Sequence, residues 1–141
     1  HPEVRVTASA TLRKYIGENV QIVFDGVEDP QGMIGEVKDE ATGKIDEVIT
    51  RDNIVTIRGY GLKIESDADH AAQAGVFPVS AQQQEIPFKA VAPRTLKLIS
   101  PANISAGAYT ILIRTQSNVK YSGHLLKELR EVRSEFTLTV Q

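Results

Sequence analysis

The stretch Pro101–Gln116, PANISAGAYTILIRTQ, decides the fold. Gly107 stands two residues before Tyr109, and an alternating apolar strand, Tyr109–Thr115, follows at once. A Tyr in that place opens a strand, packs its ring inward and returns its hydroxyl to a backbone group just upstream. This is how an immunoglobulin-like sandwich turns the corner between its two sheets. The corner specifies a fold and carries no chemistry.

Working outward, the chain from Met33 on reads as all-β. Strands are expected at Ile34–Lys38, at Val48–Thr50 leading into Ile54–Arg58, and at Gly75–Val79. Further strands are expected at Glu85–Ala90, Thr95–Ile99 and Phe136–Val140. Gly59 and Gly61 are read as breaking the Ile54–Arg58 strand, and Pro87 places its strand at an edge or a bulge. Thr95–Ile99, with Lys97 between Leu96 and Leu98, suits a surface strand. Short strands about ten residues apart, with turn residues between them, favour a sandwich over a βαβ sheet. Gly123–Arg133 carries Leu125, Leu126, Leu129 and Val132 near helical spacing, and its pattern fits either a short helix or an anchored loop. Residues 1–25 read differently: a strand at Val4–Ser9, a short helix at Ala10–Ile16 and a second strand at Val20–Phe24. The expected organisation is therefore a strand-helix segment over 1–25 and an Ig-like β-sandwich over 26–141.

Composition narrows the function classes. With 141 residues and 41% hydrophobic content the chain holds one domain with a real core, or one domain and an appendage. No apolar run approaches the roughly 18 residues of a membrane span, so no membrane partner is expected. The net charge of -2 argues against a free-standing nucleic-acid binder. There is no cysteine, which removes disulfides, thiolate metal sites and Cys nucleophiles. That composition suits a reducing cytoplasm, and secreted or periplasmic proteins share it.

Motifs for catalysis are missing. The histidines, His1, His70 and His124, have no zinc-binding spacing, and no nucleophile elbow, Walker loop or dinucleotide fingerprint occurs. Asp67-Ala68-Asp69-His70 has too few ligands for an EF-hand and reads as a solvated acidic loop. No enzyme, cofactor or metal is expected. The densest basic segment holds Lys120, Tyr121, His124, Lys127, Arg130 and Arg133, which are the candidates for contact with nucleic acid or a partner. Glu128 and Glu131 interleave with them, as in a salt-bridged loop.

Thr50–Ile64 (TRDNIVTIRGYGLKI), Gly75-Val76-Phe77, Pro93, Pro101, Gly107-x-Tyr109, Thr115-Gln116 and Leu125–Arg130 (LLKELR) occur in that order. Together they resemble the Ig-like domain of unknown function found C-terminal to HU-like DNA-binding domains in bacterial proteins. The pair Thr115-Gln116, followed about ten residues later by Leu126-Lys127-Glu128-x-Arg130, is the most specific part. The middle third is also similar to IPT/TIG-type Ig-like domains, and Val4–Ile16 resembles the closing strand and terminal helix of an HU-like fold.

The resemblance implies a C-terminal piece of a nucleoid-associated protein whose DNA-gripping part lies upstream. The sandwich would then mediate self-association or partner contacts through sheet edges. It implies no site residues. A second reading is an extracytoplasmic Ig-like adhesion or glycan-binding module, against which stand the absence of Trp and an aromatic content of 6%.

Overall fold

Two antiparallel four-stranded sheets face each other across one apolar layer. The computed structural model describes residues 32–82, 86–92, 95–121 and 123–141. The strand-helix segment expected over 1–25 lies outside the described residues. The strands are β1 (Met33–Asp39), β2 (Ile54–Tyr60), β3 (Gly75–Val79), β4 (Lys89–Ala92), β5 (Lys97–Ile99), β6 (Gly107–Thr115), β7 (Arg130–Arg133) and β8 (Leu138–Val140). The first sheet runs β1-β2-β5-β4. In the second, β6 is central, with β3 along one side and β7 and β8 in succession along the other. Among the described residues there is no α-helix.

Alternation sets the layer. Val55, Ile57 and Leu98 project from the first sheet, and Tyr109, Ile111, Ile113, Val132, Leu138 and Val140 meet them from the second, all buried. Ile49, Leu62, Phe88, Leu96, Ile104 and Phe136 fill in from the connections. Burying apolar side chains on this scale drives the association of the sheets. On the outer face of the second sheet, the Arg114 guanidinium lies 5.2 Å from the centre of the Phe77 ring.

The Tyr109 corner forms as its sequence implies. The ring is buried and the hydroxyl donates to Ser105 O at 2.7 Å. Tyr109→Phe is expected to cost about 1–2 kcal/mol in denaturant unfolding, with the fold unchanged.

Several boundaries depart from the sequence reading. Strand β2 continues through Gly59 to Tyr60 and ends at Gly61, whose φ is +67°. Gly59 is therefore a strand residue. Val48–Thr50 makes only a single parallel bridge, Val48 to Thr139, because Ile49 N donates to Thr139 O where this segment crosses beside β8. Strand β5 is interior, between β2 and β4, with Leu98 buried. Pro87 precedes β4, which is an edge strand with an irregularity between Ala90 and Ala92. Gly123–Arg133 resolves as a loop that ends in β7: Val132 is buried, while Leu125 remains 42% exposed. The helical spacing over these eleven residues belongs to a loop in which Leu126 and Leu129 are half-buried and Leu125 is exposed.

Candidate nucleic-acid interface

One end of the sandwich gathers the connection after β2, the loop after β6 and the approach to β7. Gln116 organises it. Its side chain is fully buried, and Oε1 accepts from Asp67 N at 2.7 Å. Its Nε2 donates to Leu126 O at 3.0 Å, to Lys127 O at 3.3 Å and to Asp67 Oδ2 at 3.1 Å. Its backbone is also engaged, donating to Glu65 O and accepting from Leu126 N, both at 2.7 Å. An amide suits this place because it offers an acceptor to one loop and donors to another. The neighbouring Thr115 Oγ1 donates to Lys63 O at 2.7 Å and accepts from Glu65 N at 2.9 Å.

Arg130 closes the same end. Its Nε donates to Ser117 O at 2.8 Å, and Nη2 donates to Gly61 O at 2.7 Å and to Ser117 Oγ at 2.6 Å. Burial pulls the guanidinium below its ordinary value, with Tyr60 opposing that shift. Arg130 thus joins the ends of β2 and β6. Thr115-Gln116 and Leu126-Lys127-Glu128-x-Arg130, ten residues apart in sequence, form one cluster.

The remaining expected contact residues divide. Lys120, Tyr121, His124 and Lys127 are exposed, Tyr121 to 63%. Asn118 Oδ1 accepts from Lys120 N at 3.0 Å and Tyr121 N at 3.1 Å, so a side-chain-capped turn presents that pair. Arg133 lies apart on β7, 3.7 Å from Glu131, which also accepts from Arg114 Nε at 3.1 Å. The structure therefore does not bring Arg133 to the loop cluster.

Two cations outside the basic segment belong to this end. Arg58 and Lys63 line a cleft of about 400 Å³ together with Thr95. Arg58, two residues beyond Thr56 on β2, is exposed on the outer face of its sheet. On the same outer face, Lys38 and Lys97 lie 3.7 Å and 3.9 Å from Glu40. The Thr56 hydroxyl, donating at 2.6 Å, is the main cause holding the Glu40 carboxyl below its usual range. Those two lysines are matched locally.

The acidic loop is more ordered than its composition suggests. His70 Nδ1 lies 2.7 Å from Asp67 Oδ1, and Nε2 lies 3.6 Å from Glu128 Oε1. The hydrogen bond with Asp67 is the main cause raising the His70 pKa, and the same bond, helped by Gln116, lowers that of Asp67. The His70 contribution is full below the unfolded value of 6.5 and is lost as pH rises through the higher folded value. The Asp67 contribution is present above 3.8 and is lost as pH falls through the lower folded value. The bridge between the two loops is thus fullest from about pH 4 to pH 6.5. In an NMR titration His70 is expected to titrate above a free histidine, and Asp67→Asn to bring its midpoint down. Among the described residues no three His, Asp or Glu side chains converge to hold a metal.

Fold and loop cluster together define an Ig-like sandwich closed at one end by an amide-and-guanidinium clasp. A family model for a domain of unknown function with an Ig-like fold, DUF4469, matches residues 33–132, and the chain belongs to that family. Among solved structures, the chain is similar to a protein from Bacteroides vulgatus ATCC 8482 called a "putative bacterial DNA binding protein". The TM-score is 0.67 at 23% identity, over 92% of this chain and 55% of that one. This chain therefore spans little more than half of that protein, and the likeness establishes the fold. No curated protein matches the chain.

Proposed function

We propose that this chain is the non-enzymatic C-terminal Ig-like module of a bacterial HU-like DNA-binding protein, acting on the nucleoid in the cytoplasm. In this reading the DNA is gripped mainly by the upstream domain. The sandwich serves architecture and partner contact, and sheet edges such as β4, with Val91 51% exposed, are available for pairing. The observation that carries the reading is the recurrence of this fold within a longer chain named for DNA binding. The likeness of Val4–Ile16 to the end of an HU-like fold supports it. A glycan platform would want several exposed aromatic rings, whereas Tyr121 is the one aromatic among the described exposed large apolar residues.

A gel-shift series with the longer parent protein tests the proposal. Duplex DNA is expected to bind at low salt with a steep loss of affinity as salt rises. Absence of binding at low salt contradicts it.

A further inference from the structure

We infer that the cleft between Arg58 and Lys63 is a binding site for the phosphodiester backbone of nucleic acid, continued by Lys120 and Tyr121 on the adjoining loop. This deepens the DNA-binding reading above and rests on it. Arg58 is exposed, and the Lys63 side chain is 67% exposed with Glu65 3.5 Å away. Both border a cleft of about 400 Å³ whose floor is Ile57, Leu62 and Leu96. A guanidinium presents paired donors to phosphate oxygens, and an ammonium adds charge. Thr95, whose hydroxyl donates to Ala92 O at 3.4 Å, also lines the cleft, and the apolar floor suits the sugar between phosphates, which free phosphate would leave uncovered.

The site joins the loop physically. Lys63 O accepts from Ser117 Oγ at 2.6 Å and from Thr115 Oγ1 at 2.7 Å, so the cleft wall is tied to the start of the loop that carries Lys120 and Tyr121. A Cβ on Gly61 would lie 3.2 Å from Val119 Cγ2, which shows how closely that loop packs on the cleft's edge. Tyr121, 63% exposed beside Lys120, offers a stacking face next to a phosphate contact. The acids beside the two cations are Glu65, 3.5 Å from Lys63, and Glu36, which pairs with Arg58 in the β1–β2 ladder and is buried, whereas Asp67 and Glu128 face His70.

The test is fluorescence anisotropy of a labelled duplex with the whole 141-residue chain at low salt. Arg58→Ala with Lys63→Ala is expected to weaken binding about tenfold and to reduce the slope of log affinity against log salt by about 2. Lys44→Ala with Lys89→Ala, away from the cleft, is expected to leave both unchanged. Thermal melting of each variant should match the parent, since all four side chains are exposed. Inorganic phosphate is expected to compete only weakly. Equal competition by polyglutamate of matched charge would assign the cleft to an acidic protein instead and overturn the inference. Unchanged affinity and slope in the Arg58/Lys63 variant would also overturn it, as would no binding by the chain at low salt. In either of those cases the proposed function stands if the longer protein still binds duplex DNA.

Discussion

Replacing Gln116 with Ala is expected to destabilise the protein by about 3 kcal/mol in denaturant unfolding. The side chain is fully buried and serves Asp67 N, Asp67 Oδ2, Leu126 O and Lys127 O. Truncation removes one acceptor and two donors at a place where three backbone groups depend on them. The loss of a single exposed hydrogen bond would be far smaller. Gln116→Leu keeps most of the volume and should recover little, because the polar groups of both loops still lack partners. Gln116→Glu is expected to be at least as damaging at neutral pH. It turns the donor into a carboxylate facing the Asp67 carboxylate and two carbonyls. Lowering the pH should relieve part of the Glu defect and none of the Leu defect.

Gly59→Ala is expected to cost about 3 kcal/mol, by overpacking. The reason is space: a Cβ at Gly59 would lie 2.0 Å from Met33 O and 2.7 Å from Leu62 Cδ1. Leu62 can shift, but Met33 O belongs to the neighbouring strand, where Met33 pairs with Tyr60 and Ile34 with Gly59. Relief therefore requires opening the start of the β1–β2 ladder. Thermal unfolding checks this, with Gly43→Ala as the comparison. No atom lies within 4 Å of a Cβ at Gly43, so its only penalty is the left-handed backbone at φ +77°.

The sequence made some of this legible and hid the rest for physical reasons. The Tyr109 corner and the β3 and β6 strands were readable because period-two alternation, or a continuous apolar run, coincides with burial on a sheet. Strand β7 was not, because Leu125, Leu126 and Leu129 lead into it at a spacing that also suits a helix. What decides the matter is the capture of the Leu126 and Lys127 carbonyls by Gln116, ten and eleven residues earlier. The family signature was visible as a pattern, but its meaning was not: Arg130 reads as a surface cation and proves to be the link between Gly61 and Ser117. Arg58 and Lys63 do not stand out beside the basic loop because they lie more than fifty residues from it in sequence. Hydrogen bonds across the fold, among them those from Thr115 and Ser117 to Lys63 O and from Gln116 N to Glu65 O, bring the two together.

Thr115-Gln116 and the Leu126–Arg130 segment act as one clasp that shapes one end of the sandwich. Native-state amide exchange of Gln116→Ala tests it most directly. Asp67 N loses its own acceptor in this variant, so its faster exchange is expected on any account. Leu126 N, however, donates to the backbone carbonyl of residue 116, which the substitution leaves in place. The clasp predicts that Leu126 and Asp67 lose protection together, by about a hundredfold, beyond any loss in strand β6. Retention of parent-level protection at Leu126, with Asp67 alone exchanging faster, would contradict it.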